Sequence, residues 1–312
     1  MDASGWQWTR HMFDRRTNAA VPAALTPKLE VISRLPSRPR PAPPILFVHG
    51  AWHGAWCWDE FFLDHFAARG YAAHALSFRA HGESEGRGAL HRCRIRHYVE
   101  DVAAVAAALP SSPILVGHSM GGFVVQKFLE THSVPAAFLL ASIPPNGARS
   151  TYARLMRNRP LDALRANAML SLWPFISDPV RAQRLLFSTS ALRGDVARRH
   201  RLLQDESMLS ALDCLALERV AANQVRSPIH VMGAADDAIV TGYEIKATAR
   251  AYGVEPEVFD DIAHDMMLDP NWTIVADSMI RKLDAQFGKT RIEPHFGRVG
   301  EARPTGANVA PV

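Results

Sequence analysis

The stretch Pro113–Thr131, PILVGHSMGGFVVQKFLET, decides the fold of this chain. Its apolar residues 114–116 are typical of a strand buried on both faces, and residues 123–131 have the apolar spacing of a helix. Between them, GHSMG (117–121) matches the pattern G-x-S-x-G, which places a serine on a sharp turn from a strand to a helix. We therefore predict that Ser119 is a nucleophile at the carboxyl end of the strand. The alternative is a glycine-rich packing turn.

A serine hydroxyl needs a general base, and the base needs a carboxylate that orients it. In this architecture the acid and then the histidine follow the serine, each in a loop after a later strand. His264 follows the strand predicted at 257–259 and precedes the last helix, so we predict that it is the base rather than a surface-loop histidine. Asp236 and Asp237 both follow the strand predicted at 229–232. Adjacent loop carboxylates point in different directions, so we expect one of them to reach the histidine, and the pattern alone leaves open which.

A second pattern follows the early strand predicted at 45–48. It reads HGAWHGAWCW (49–58) and holds a glycine beside a candidate backbone donor. We predict that the backbone N–H groups of Ala51 and Met120 form the oxyanion hole, since one donor of such a hole comes from this loop and the other follows the nucleophile. Trp52 and His49 are predicted to bind substrate. The two later tryptophans of this loop are as well explained by plain packing.

Strands alternate with helices along most of the chain, which predicts the α/β class with a doubly wound, mostly parallel sheet. Residues 144–220 break the alternation, because they contain several helical stretches and no convincing strand. We predict a helical insertion there. The expected division is an irregular N-terminal arm (1–27), a core (28–143 and 221–287), the helical insertion (144–220) and a loosely ordered tail (288–312).

Composition excludes several other classes of protein. The net charge is +4, from 35 basic and 31 acidic residues, and no basic stripe is interleaved with aromatics, so we expect no nucleic-acid partner. No apolar run reaches the roughly 18 residues of a membrane span. The three cysteines are far apart and lack metal-ligand spacing, so we expect no metal, reduced thiols and a cytoplasmic location. The sequence does not determine the oligomeric state.

Four arginines lie near the start of the insertion: Arg149, Arg154, Arg157 and Arg159. A solvated basic face is the favoured interpretation. The alternative is attraction of a carboxylate or phosphate on a substrate.

The chain resembles the α/β-hydrolase superfamily over about residues 28–287. The resemblance is carried by HGAWHGAWCW, by RAHGES (79–84), by GHSMGG (117–122) and by AHDMMLD (263–269). The first motif is similar to the plant methylesterase and hydroxynitrile-lyase branch and its bacterial esterase relatives, and GHSMGG is similar to monoacylglycerol-lipase-type enzymes. The resemblance implies Ser119 as nucleophile, His264 as base and an Asp in the loop GAADDAIV (233–240). Members often carry D-x-x-V-P there, and the register of DAIVT (237–241) favours Asp237.

The resemblance also implies that the insertion is a helical cap over the active site, which usually governs substrate choice. We expect a serine hydrolase that cleaves a small-molecule, uncharged, fairly apolar carboxylic ester and needs no cofactor. A lactone or carbon–carbon bond hydrolase on the same triad is an alternative, and so is a receptor-like ligand-binding protein with little turnover. Relatives that are haloalkane dehalogenases or epoxide hydrolases carry Asp at the nucleophile position, so Ser119 argues against both.

Overall fold

The computed structural model describes residues 11–12 and 27–288. Within these residues, eight strands form one sheet in the order β1-β2-β4-β3-β5-β6-β7-β8. The β1–β2 and β2–β4 pairs are antiparallel and the remaining pairs are parallel. The strands are β1 His11–Met12, β2 Glu30–Arg34, β3 Ile45–Val48, β4 Ala73–Leu76, β5 Ile114–His118, β6 Ala137–Leu140, β7 Ile229–Ala234 and β8 Glu257–Phe259. This topology confirms the predicted α/β class and its mostly parallel sheet.

The strands β3 to β6 are buried along their whole length because helices cover both faces of the sheet. All four residues of β3 are buried, as are all five of β5. The strand order reverses between β3 and β5, which pair with Val48 opposite Gly117. Ligands of open α/β sheets bind at the carboxyl ends of the strands at such a reversal. The loop after β3 and the turn after β5 therefore meet where a site is expected.

The helices that pack on the sheet or lie in the insertion are α1 Trp56–Asp59, α2 Phe62–Ala68, α3 Ile95–Ala108, α4 Met120–Leu129, α5 Arg149–Asn158, α6 Pro160–Met169, α7 Pro179–Leu186, α8 Arg193–His200, α9 Met208–Leu212, α10 Gly242–Tyr252 and α11 Trp272–Phe287. Periodicity predicts one helix from Trp58 to Arg69, whereas the structure divides it into α1 and α2. The break lies at Phe61, whose φ is −143°. Its ring stacks on Trp272 of α11 at 5.0 Å between centroids, so a tertiary contact interrupts the helix.

The insertion (residues 144–220) lies between β6 and β7. Its described secondary structure is helical, from α5 to α9 with a 3₁₀ turn at Trp173–Phe175 and a π-helical turn at Asp213–Leu217, apart from one isolated bridge between Ser171 and Ser207. Buried charges join it to the core: Arg199 to Glu60 at 2.9 Å, and Asp213 to the backbone N–H of Ile95 at 3.0 Å.

The predicted arm and tail lie largely outside the described residues, which include only 11–12 and 27 of the first and 288 of the second. Among the residues that the structure describes, every helix falls short of the length or the apolarity that crossing a lipid bilayer requires.

Candidate active site

Ser119 forms the turn between β5 and α4, with φ of 54° and ψ of −118°. Such a conformation costs a non-glycine residue about 1–3 kcal/mol and persists only where the surroundings enforce it. The neighbouring glycines allow close packing: a Cβ on Gly121 would lie 2.2 Å from the carbonyl oxygen of His49, and one on Gly117 would lie 2.7 Å from that of Gly121. The Ser119 N–H also donates to the Leu140 carbonyl at 3.0 Å. The sheet therefore holds the strained serine in place.

Three buried side chains form one chain of hydrogen bonds. His264 Nε2 lies 3.0 Å from Ser119 Oγ, and His264 Nδ1 lies 2.8 Å from Asp237 Oδ2. The other carboxylate oxygen of Asp237 accepts the backbone N–H groups of Ile239 and Val240 at 2.7 and 2.8 Å, which fixes its orientation. The structure thus brings together the predicted serine, histidine and Asp237.

Asp236, the other candidate acid, is exposed. Its backbone N–H donates to the Ile262 carbonyl at 3.1 Å, whereas the side chain of Asp237 is buried and reaches His264. The adjacent carboxylates do point in different directions, as the sequence indicates.

The environment of His264 favours a proton on the ring. Burial by itself would lower the pKa, but the charge and hydrogen bond of Asp237, with the charge of Asp265, raise the pKa of His264 above its ordinary 6.5. A base tuned in this way can take a proton from Ser119 and is stabilised as a cation once it has done so.

The predicted oxyanion donors lie on either side of the serine. Met120 begins α4, so its N–H has no acceptor within the helix. Ala51 follows Gly50, and a Cβ on Gly50 would lie 3.0 Å from the Ser119 Cβ, so this loop passes close to the serine. Neither N–H donates to another group within the described residues. Both residues line a cavity together with Ser119.

His49 lies behind this loop and not on the cavity wall. Its Nε2 accepts the backbone N–H of Phe78 at 3.0 Å, and its Nδ1 donates to the Gly50 carbonyl at 2.7 Å. Burial lowers the pKa of His49 well below its ordinary value, which keeps the ring neutral in this arrangement. The structure therefore differs from the predicted substrate-binding role: both ring nitrogens hold backbone, and neither is available to a ligand.

The cavity at Ser119 has a volume of about 100 Å³ and mostly apolar walls. Trp52 lines it as predicted, with a φ of 68° and with its carbonyl accepting the Gln204 N–H at 3.0 Å. Most of the remaining wall comes from the insertion: Ala148, Thr151, Tyr152, Leu155, Leu172, Phe175, Glu206, Met208, Ala211, Cys214 and Leu215.

A buried group behind His264 is missed by sequence analysis. Asp265 accepts from His53 Nε2 at 3.0 Å, and His53 Nδ1 lies 2.7 Å from the Ala51 carbonyl. His118 Nε2 donates to the His264 carbonyl at 2.9 Å. The group therefore joins the loop of Ala51 to the loop of His264. The available signals are weak: His53 lies within the HGAWHGAW pattern, and Asp265 directly follows the base.

An overlapping set of residues is the one group of possible metal ligands found among the described residues. Atoms of His118, His264 and Asp265 lie within 4.8 Å of one another. Both ring nitrogens of His264 are engaged by Ser119 and Asp237, and Nε2 of His118 donates to the His264 carbonyl at 2.9 Å. These contacts fit packing that orients His264 better than they fit a metal centre.

A second buried group joins the insertion to the core at the cavity wall. Glu206 accepts from Tyr98 Oη at 2.7 Å and pairs with His81 Nε2 at 3.1 Å, while His81 Nδ1 lies 3.1 Å from the Arg79 carbonyl. Burial would lower the pKa of His81, but Glu206 raises it; burial would raise the pKa of Glu206, but His81 lowers it. An ion pair therefore lies beside the apolar cavity.

Comparison with known proteins agrees with this fold. The sequence pattern of the alpha/beta hydrolase family matches residues 45–276. The chain belongs to the alpha/beta hydrolase family. The esterase EaEST from Exiguobacterium antarcticum superposes on this alpha/beta hydrolase with a TM-score of 0.64 at 16% identity, covering 83% of this chain and 96% of that one. At such low identity the likeness shows the fold alone.

Sequence relatives match a shorter region. This alpha/beta hydrolase is 37% identical over 107 residues to probable esterase PIR7A of Oryza sativa subsp. indica, across 33% of this chain and 40% of the rice protein. It is 34% identical over 105 residues to methylesterase 1 of Arabidopsis thaliana, across 32% of this chain and 39% of that protein. The alignments thus span about two fifths of these relatives.

Proposed function

We propose that this alpha/beta hydrolase is a serine carboxylesterase that works through an acyl-enzyme. The observation that carries the proposal is the buried chain from Ser119 Oγ through His264 to Asp237, with links of 3.0 and 2.8 Å. The esterase and methylesterase names of the sequence relatives support ester substrates.

In the first step, His264 Nε2 takes the hydroxyl proton as Ser119 Oγ attacks the ester carbonyl. Asp237 holds the imidazole in the required orientation and stabilises the cation. The oxyanion accepts the N–H groups of Ala51 and Met120. His264 then gives the proton to the leaving alkoxide, and the alcohol departs. Water, activated by the same base, releases the acid and restores Ser119.

The size of the cavity limits the group that it can bind. Pockets for drug-sized ligands measure at least about 300 Å³, whereas this cavity measures about 100 Å³. We therefore infer that a short, uncharged, apolar group lies beside Ser119. The rest of the ester must extend beyond this cavity.

We further propose that the enzyme works in the cytoplasm on a small molecule. The cysteines Cys57, Cys93 and Cys214 are buried free thiols. Burial raises the pKa of each, which keeps them protonated and unreactive.

The test is hydrolysis of p-nitrophenyl esters from acetate to octanoate by the wild type, Ser119→Ala and the exposed control Ser111→Ala. We expect multiple turnovers with an optimum at short acyl chains, a loss of at least about 1,000-fold in Ser119→Ala and no change in Ser111→Ala. Equal rates in wild type and Ser119→Ala would refute the mechanism. A single stoichiometric burst followed by silence would favour the receptor-like alternative.

A further inference from the structure

A larger cleft of about 850 Å³ opens in the insertion beside the cavity. Helices α5, α6 and α7 form most of its walls, together with Ala238 from the loop of the candidate acid. Its charged lining is Arg154, Arg159, Arg165, Arg181 and Arg184, with Asp162 and Asp178. Five guanidinium groups thus face two carboxylates.

The acidic residues of the cleft leave this positive charge in excess. Asp162 receives three arginines, Arg159 at 2.9 Å, Arg181 at 3.4 Å and Arg165 at 3.9 Å. The Arg165 contact is long, and 61% of that side chain is exposed. Arg184 is exposed and pairs with no carboxylate within the described residues. The guanidinium groups of Arg165 and Arg184 can therefore donate hydrogen bonds to an anion bound in the cleft.

The cleft and the cavity at Ser119 share a wall. Leu155 lines both, and the cleft residue Ala238 adjoins the cavity residue Ile239. Arg154 donates to the Ile239 carbonyl and pairs with Glu244 at 3.1 Å, which fixes this part of the wall. The arginine-lined cleft therefore adjoins the cavity at Ser119, with Leu155 and the chain at Ala238–Ile239 between them.

We propose that this cleft binds a carboxylate on the half of the ester that does not fit the cavity. Guanidinium groups match carboxylates with paired, charge-assisted hydrogen bonds. The substrate class becomes an ester with a short apolar acyl group and an acidic alcohol or phenol half. This inference rests on the proposed esterase function and narrows its substrate class. The acyl group beside Ser119 is uncharged, whereas the alcohol or phenol half carries a carboxylate.

The test compares two acetyl esters of the same shape, 4-acetoxybenzoate and the uncharged 4-acetoxybenzamide. We expect the wild type to favour the benzoate by about tenfold in kcat/KM, because hydrogen bonds from a guanidinium to a carboxylate are charge-assisted and stronger than those to a neutral amide. The ratio should fall to near one in Arg165→Gln/Arg184→Gln. It should also fall as salt is raised, since both side chains are exposed. Arg157→Gln is the matched control: it is exposed on α5 and does not line the cleft.

Equal use of the two esters by the wild type would overturn the proposal, and so would a ratio that survives the double substitution. A binding measurement keeps the inference separate from the esterase function. Calorimetry in the Ser119→Ala background should show 4-acetamidobenzoate binding about tenfold more tightly than 4-acetamidobenzamide, with the difference lost when Arg165 and Arg184 are replaced. If no ester is hydrolysed, the proposed esterase function is wrong. The binding difference would still show whether the cleft binds a carboxylate.

Discussion

The sheet and the insertion build opposite sides of one site by different means. On the sheet side, Ser119, Asp237 and His264 follow β5, β7 and β8, and each is buried and tied to backbone or to its neighbour. On the insertion side, short helices present apolar side chains to the cavity and arginines to the cleft. The first side positions atoms that we propose to react, and the second shapes the space around them.

The difference teaches where chemistry and selectivity are encoded. Reacting groups must be held to within fractions of an ångström, which rigid strand ends achieve. Selectivity depends on volume and charge, which helices can change without moving those strands. Substitutions on the sheet side should therefore change rate for every substrate, whereas those in the insertion should change the ranking of substrates.

The largest expected effect compares the two adjacent carboxylates. Asp237→Asn should lower kcat by about 10⁴-fold, because the amide favours the wrong tautomer of the histidine that it orients. Asp236 lies one residue away and is exposed. Exposed substitutions of this kind have small effects, so Asp236→Asn should change kcat by less than about twofold. Rates with p-nitrophenyl acetate give both values, and equal losses in the two variants would contradict the assignment of the acid.

The next prediction concerns the buried ion pair between His81 of the core and Glu206 of the insertion. Glu206→Gln leaves His81 buried without its counter-charge, which should lower the free energy of unfolding by about 3 kcal/mol near neutral pH. His81 has a raised pKa in the folded state, so its contribution is complete below 6.5 and is lost as pH rises through that folded pKa. The difference in the free energy of unfolding between wild type and variant should therefore become smaller at alkaline pH.

Urea unfolding at several pH values measures this gap. Glu100→Gln is the control, because Glu100 pairs with Arg79 at 3.0 Å but is 59% exposed. A surface pair of this kind contributes little to stability. A gap that stays constant with pH would show that the ion pair is not the cause.

The sequence predicts the sheet side of the site better than it predicts the insertion side. Ser119, His264 and the parallel sheet are predictable because a local pattern marks each one: a serine among glycines, a histidine after the last strand, apolar runs between helices. The acid is harder, because Asp236 and Asp237 differ in orientation and not in type. The backbone hydrogen bonds at 2.7 and 2.8 Å that turn Asp237 inward appear only in the fold.

Contacts between distant segments lie beyond local pattern. His81 and Glu206 are 125 residues apart, and no spacing rule joins them. Arg154 and Arg159 stand out as part of a basic run, but the cleft needs Arg181 and Arg184 from another helix. The position of His49 also depends on its partner, since the N–H of Phe78 draws the ring away from the cavity.

Selectivity can be tested on the insertion side at Leu172. Leu172→Ala enlarges the cavity, so the preferred acyl chain should lengthen, with kcat/KM for a longer ester rising about tenfold relative to acetate. Leu164→Ala is the control, since Leu164 is 66% exposed and does not line the cavity. A fall in rate for all chain lengths together would place Leu172 with the sheet-side residues and break the comparison.

The smallest effect concerns the charge behind the base. His264 is surrounded by Asp237, Asp265 and the neutral His118, and both carboxylates raise its pKa. Asp265→Asn removes one negative charge, so the pKa of His264 should fall. The acid limb of the pH profile of kcat/KM should then move to lower pH by a fraction of a unit. On that limb the rate should change by roughly a few-fold. Asp260→Asn, exposed on the same loop, should leave the limb in place. A purely structural defect would lower the rate at every pH without moving the limb, whereas a displaced limb with an unchanged plateau would show that the sheet side tunes its base with a second carboxylate.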